Sequence, residues 1–371
     1  MPQLVLTEEN NYRSLDLYFL KNGVRKIFLV KTSAFRLFPI SAYFYDLRAR
    51  LGIEVFFFSD FHSNPVYDSV VKAVNLFRSS ACNCIVAVGG GSAIDIAKCV
   101  KIYNGMDSSL NYLERQPVEN DIPFLAVPTT AGTGSEATHY SVIYYNDEKQ
   151  SIAYDSCIPS AVLFDHSVLN FLPEYQRKVT MLDAFCHGIE SFWSVNSTEE
   201  SKKYSKQAIQ MILANMESYL ANGAEGNKNM LMAANLAGKA INITQTTAGH
   251  AMSYKLTSLY GISHGHAAAL CVRSLWRYMI ENTEKCLDVR GKDYLDAMFL
   301  RLAKIMECNE SVEAAEKFCG IFSELQLKKP VVRNNSDFDV LKKSVNSVRL
   351  KNNPVLLDEE AIDKLYHKIL L

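Results

Sequence analysis

Cys84-Ile85-Val86-Ala87-Val88-Gly89-Gly90-Gly91-Ser92-Ala93-Ile94-Asp95-Ile96-Ala97-Lys98 decides how the first half of this chain is read. A run of buried-strand character enters three glycines directly, and a helical pattern begins straight after them. Without a Cβ, the turn lets the backbone approach a bound group closely and aim N–H donors at it. The helix that follows brings the positive end of its dipole to the same place, where a pyrophosphate is the natural occupant. Ser92 stands where it could also cap that helix. The spacing is not the common GxGxxG fingerprint, and a tight turn that binds nothing would read the same way.

Outward from this turn, residues 26–30, 53–58, 124–127 and 161–164 are further apolar runs of the kind a parallel sheet covered on both faces requires. Pro128-Thr129-Thr130-Ala131-Gly132-Thr133-Gly134-Ser135-Glu136 follows the 124–127 run. It sets hydroxyls and glycines at the C-terminal end of a strand, where open α/β sheets bind ligands. Two such loops at consecutive strand ends point to a nucleotide cleft. Beyond Leu172-Pro173 the texture changes, and helical patterns dominate over residues 179–195, 199–221, 229–243, 267–280 and 359–371. The polar run 222–227 reads as a loop. The expectation is an α/β, Rossmann-like domain over residues 1–173 and an all-helical domain over 174–371.

Composition narrows the function classes. The 371 residues carry 39 Lys and Arg against 40 Asp and Glu, a formal charge of −1. A near-neutral chain has no general electrostatic drive toward nucleic acid or anionic membrane. No uninterrupted apolar run reaches the ~20 residues that span a bilayer, and the first ten residues lack the basic-then-apolar layout of a signal peptide. Nine cysteines, an odd number without CxxC pairs, read as reduced thiols. A cytoplasmic protein without nucleic-acid or membrane partners is expected.

The helical half carries four candidate metal ligands. Asp183 and His187 lie four apart, so ~400° of rotation returns both to one helix face, ~6 Å apart along the axis. Leu182, Ala184, Phe185, Cys186 and Ile189 make that helix apolar nearly all round, and a buried charge needs a partner or a metal. His250 and His264 each sit among small residues with apolar flanks. One carboxylate with three imidazoles suits Fe²⁺ or Zn²⁺, although each histidine alone would more often be structural.

Taken together, Gly89-Gly90-Gly91-Ser92 with Asp95 and Lys98, Pro128 to Thr133 with Ser135-Glu136, Asp183 with His187, His250, and His264-Gly265 resemble the iron-containing (group III) alcohol dehydrogenase family. The likeness is ordered and spans residues 26–275. It implies the dehydroquinate synthase-like fold, with a dinucleotide-binding α/β domain, a helical metal-binding catalytic domain, and a homodimer. Carried over by position, the glycine turn Gly89-Gly90-Gly91-Ser92 would hold the pyrophosphate of NADP(H) or NAD(H), and Asp95 would be among the cofactor-binding residues. Thr129, Thr130 and Thr133 would line the nicotinamide and ribose. Asn64 fits an Asn-Pro corner on the cofactor, and Lys149 a lysine on its ribose. Asp183, His187, His250 and His264 would bind the divalent metal, a Lewis acid for a carbonyl oxygen as hydride arrives at carbon.

Two departures stand out. Many members carry a proton-relaying histidine four residues after the third ligand, where this chain has Tyr254. A phenol of ordinary pKa ~10 donates a proton but is a poor base near neutrality, so Tyr254 or a water would serve as proton source. After the first apolar run, Lys31 replaces the Asp of NAD-specific members, which favours tolerance of NADP(H). The run His250 to Ser258 with His264-Gly265-His266-Ala267 looks most like the branch reducing phosphonoacetaldehyde to 2-hydroxyethylphosphonate. An anionic substrate of that kind would need a cation, with Lys255, Arg273 and His266 as candidates. Reduction of another aldehyde to a short-chain or sugar-derived alcohol is the alternative within the family. A sugar-phosphate cyclase, a lyase of the dehydroquinate synthase type, shares the related fold, but its lysine-rich pattern is not evident here.

Overall fold

A computed structural model of the chain describes residues 3–107, 109–146 and 148–371. The chain divides into two compact units, one ending at Leu172 and the other running from Pro173 to Leu371.

In the first unit, strands β1 (Leu4–Thr7), β2 (Lys26–Lys31), β3 (Glu54–Phe58), β4 (Cys84–Gly89) and β5 (Phe124–Pro128) belong to one sheet; β6 (Tyr140–Tyr145) and β7 (Glu148–Ala153) form a hairpin; β8 (Ala161–Phe164) returns to the sheet. The sheet order is β1-β8-β5-β4-β2-β3, and every pairing in it is parallel. Helices α1 (Glu9–Lys21), α2 (Ile40–Leu51), α3 (Tyr67–Ser79) and α4 (Gly91–Tyr103) are interspersed with the strands. Central strands β4 and β5 are buried along their whole length, which is why they read as unbroken apolar runs. The chain builds outward from β2 to β3, then returns to β4 on the other side of β2. The topological switch therefore lies between β2 and β4, and ligands of open α/β sheets bind beyond the carboxyl ends of strands at such a point.

The second unit is helical: α5 (Glu174–Trp193), α6 (Glu199–Leu220), α7 (Ala224–Thr244), α8 (Ala248–Tyr260), α9 (His264–Glu281), α10 (Lys292–Ile305), α11 (Ser311–Glu324), α12 (Ser336–Lys343), α13 (Ser347–Leu350) and α14 (Glu359–Leu370). Helix α5 is its axis, buried from Met181 through Trp193 and packed against α6, α7 and α9. Tight approaches are set by glycine. A Cβ on Gly188 would lie 3.2 Å from Ile209 Cγ1 of α6, and one on Gly265 would lie 2.1 Å from the Val179 carbonyl of α5. The run 222–227, expected as a loop, turns only at Asn222-Gly223 and is helical from Ala224. Gly226 explains the difference, because a side chain there would strike the end of α6, 2.3 Å from Tyr219 N.

Among the described residues no helix is long and apolar enough to cross a membrane. All nine cysteines are free. An α/β parallel-sheet unit followed by a helical one is the fold the sequence motifs imply.

Candidate functional site

In the α/β unit the glycine turn and the threonine loop meet. Gly89 ends β4, its carbonyl accepts the Thr129 N–H at 3.1 Å, and it pairs with Pro128. A Cβ on Gly90 would lie 3.2 Å from Thr130, and one on Gly91 would lie 3.1 Å from Thr133 Cγ2. Gly89 is closed off on its other sides: a Cβ would meet Ala93 at 2.5 Å and Thr32 at 3.7 Å. Thr32 follows Lys31 at the carboxyl end of β2 and donates its N–H to Val88 O at 3.1 Å. Lys31, the glycines and the three threonines thus share the switch-point end of the sheet. Lys31 itself extends over the Phe35 ring, Nζ 5.8 Å from the centroid. Gly90, not Ser92, takes the N-cap position of α4, and no side chain caps that helix.

Asp95 and Lys98 face the threonine loop rather than solvent. Lys98 is fully buried and donates to Ser135 Oγ, Thr138 O and Oγ1, and Tyr140 O. Asp95 Oδ1 accepts from Ser135 Oγ at 3.0 Å. Burial pushes the Asp95 carboxyl up to about 6, opposed by Lys98, Ser135, Val142 and Lys149. This pair fastens the loop that carries Thr129 to Thr133. Asn64 adopts the left-handed φ of +58° in its Asn-Pro corner. The corner is tied to β6 by the Tyr144 N–H donating to Pro65 O at 2.8 Å, and Tyr144 in turn pairs with Lys149 across the hairpin.

In the helical unit, Asp183 and His187 of α5 and His250 of α8 form the metal-competent group, with donor atoms all within 4.8 Å of one another and all three residues buried. The His187 and His250 rings stack at 4.5 Å. His264, the first residue of α9, stands beside this group with its ring 5.2 Å from that of His250. Tyr254 stacks on His264 with ring centroids 5.6 Å apart. Asp183 Oδ1 and His250 Nε2 are buried without a hydrogen bond, 3.6 Å apart. Their electrostatics are those of a cation site. Burial works to raise Asp183, yet His187, His250 and His264 hold it well below the ordinary carboxylate range. Burial would lower His250, but Glu190 and Asp183 outweigh it and lift the imidazole to about 10. One carboxylate oxygen and imidazole nitrogens at this spacing fit Fe²⁺ or Zn²⁺.

Glu190 belongs to this site and was left without a role by the sequence reading. It is wholly buried. Its Oε1 accepts from Thr247 N at 3.1 Å, Thr247 Oγ1 at 2.7 Å and His250 N at 3.2 Å, and its Oε2 accepts from His250 Nδ1. The available signal was spacing: Asp183, His187 and Glu190 stand at i, i+4 and i+7 on an otherwise apolar helix. Of the candidate cations for an anionic substrate, Arg273 lies over the Phe322 ring at 4.8 Å. His266 contacts Tyr175 and Phe322, and Lys255 is half-buried on α8.

Residues 2–166 match the family described as iron-containing alcohol dehydrogenase, and residues 178–370 match the C-terminal part of the Fe-containing alcohol dehydrogenase family. The probable alcohol dehydrogenase EutG of Salmonella typhimurium is 31% identical over 68% of this chain and 67% of its own length. The phosphonoacetaldehyde reductase of Streptomyces viridochromogenes is 29% identical over 82% of this chain and 80% of its own. The crystal structure of sulfoacetaldehyde reductase from Bifidobacterium kashiwanohense in complex with NAD⁺ shares the fold, with a TM-score of 0.87, 23% identity, and coverage of 99% of this chain and 97% of that one.

Proposed function

Because the chain belongs to the iron-containing alcohol dehydrogenase family, we propose that this oxidoreductase reduces an aldehyde to its primary alcohol with NAD(P)H, and that phosphonoacetaldehyde is the aldehyde. The buried gathering of Asp183, His187 and His250 carries the reading. A divalent ion held by these residues, with His264 beside them, supplies Lewis-acid polarisation of the carbonyl. A bound nicotinamide would supply the hydride for the aldehyde carbon, and the aldehyde oxygen would gain a proton. Gly89 to Gly91 and the start of α4, which no side chain caps, would receive the cofactor's pyrophosphate. Thr129, Thr130 and Thr133 would border its ribose and nicotinamide, on a loop that Asp95 and Lys98 fasten. Tyr254, stacked on His264, would serve as proton donor, and its phenol suits the reductive direction better than the oxidative one.

The choice of substrate is supported by the 29% identity to a phosphonoacetaldehyde reductase and by the likeness of the His250–Ser258 run to that branch. NAD(P)H oxidation by Fe²⁺-loaded and metal-stripped protein, across phosphonoacetaldehyde, sulfoacetaldehyde and propanal, tests both levels. Metal-dependent turnover with phosphonoacetaldehyde preferred is the expected result. Equal rates on all three would remove the substrate assignment, and no turnover with any aldehyde would remove the activity.

A further inference from the structure

We propose that Glu190 is the positioning residue of the metal centre: it fixes the tautomer and orientation of His250 so that Nε2 is presented to the cation. The inference rests on the metal-site reading above and adds a residue outside its ligand set. Glu190 Oε2 accepts the Nδ1 proton of His250, which leaves Nε2, the atom facing Asp183, as the coordinating nitrogen. The other carboxylate oxygen cannot exchange roles with it, because Thr247 N, Thr247 Oγ1 and His250 N all donate to Oε1. One carboxylate therefore holds both the first turn of α8 and the imidazole that projects from it. Gly249 permits this closeness: a Cβ there would lie 3.0 Å from Glu190 Oε1 and 2.5 Å from Val272 Cγ2.

Glu190→Gln separates this role from simple packing, since the amide is isosteric. The three donors keep the amide oxygen on the Oε1 side, so the NH₂ group must face Nδ1. A donor then meets a donor unless the imidazole proton moves to Nε2, the nitrogen the metal needs. Zn²⁺ affinity of metal-stripped protein, measured by competition with a chromophoric chelator, is expected to fall ~10–100-fold in Glu190→Gln, with the fold retained by circular dichroism. In the Zn²⁺-loaded protein, the strongly hydrogen-bonded Nδ1–H resonance of His250, assigned by its absence in His250→Gln, is expected to be lost in the same variant. Asp183→Asn is the companion measurement. If Asp183→Asn binds Zn²⁺ like the unsubstituted protein, the metal-site reading falls. If Asp183→Asn loses the metal while folded Glu190→Gln keeps full affinity and the resonance, the role of Glu190 alone is overturned. Should Glu190→Gln not fold, Glu190→Asp retains the charge but is one methylene short of Nδ1. It is then expected to show the same loss of affinity, and undiminished binding by it overturns the proposal.

Discussion

Lys31 is the residue on which we propose that cofactor preference turns. It ends β2 at the switch point, one residue from Thr32, which borders the first glycine of the turn. A cation there favours a 2′-phosphate, and a carboxylate would repel one and bond a ribose hydroxyl instead. Lys31→Asp is expected to move the ratio of kcat/KM for NADPH over NADH toward NADH by at least about tenfold, roughly 1.4 kcal/mol; steady-state kinetics with both cofactors checks it, and an unchanged ratio makes Lys31 a bystander. Asp288 carries a second prediction, about stability. Its buried carboxylate accepts from Arg290 N, Nε and Nη2, while the guanidinium also donates to Ser194 O, Val195 O and Ser197 O just past α5. Burial tends to raise this carboxyl, but the Arg290 bonds hold it below its ordinary value. A depressed folded-state pKa contributes stability that is complete above the unfolded carboxylate value of ~3.9 and lost as pH falls through the folded one. Asp288→Asn should therefore cost about 1–3 kcal/mol at pH 7. The Tm gap to the unsubstituted protein should close as pH drops below ~4, as thermal melts across pH would record. At this scale the ligand candidates were legible because Asp183 and His187 break an apolar helix pattern. Glu190 shares that helix spacing, but its role was not legible, because its partners Thr247 and His250 are 57 and 60 residues away.

Elements bring those residues together, and the α5–α9 contact is the one most open to test. Gly265 lies against the Val179 carbonyl and 2.8 Å, by its absent Cβ, from Asp183 Cβ. Gly265→Ala must push α9 outward, taking His264 away from Asp183. Overpacking of this kind costs ~1–3 kcal/mol, so a lower Tm together with reduced metal stoichiometry is expected; full stoichiometry would show that His264 and α9 are dispensable to the ion. Element type was readable where burial was uniform. Strands β4 and β5 are apolar throughout and β2 is apolar between its terminal lysines, because both faces are covered, and α5 declares itself by length and period. Edge strand β1 escaped notice because it is four residues long, with Leu4 and Val5 each about half exposed. The β6–β7 hairpin was missed for a related reason, since its strands mix buried and open positions. The start of α7 was hidden by two glycines that signal a turn in sequence but serve a close helix contact in space.

For the whole molecule, a parallel sheet carries the glycine turn proposed to receive the cofactor's pyrophosphate, the helical unit gathers a buried group of metal-competent donors, and the two family matches cover residues 2–166 and 178–370. The order of motifs along the chain made the combination legible; the gathering of α5 and α8 into one donor group is tertiary and became visible only in the fold. That gathering is the central claim, and crystallography of Zn²⁺-loaded protein with anomalous data at the zinc edge tests it directly. The account predicts a single strong anomalous peak ~2.0–2.2 Å from a carboxylate oxygen of Asp183 and from ring nitrogens of His187 and His250. A peak bound elsewhere, or none among these three side chains at saturating Zn²⁺, would contradict it.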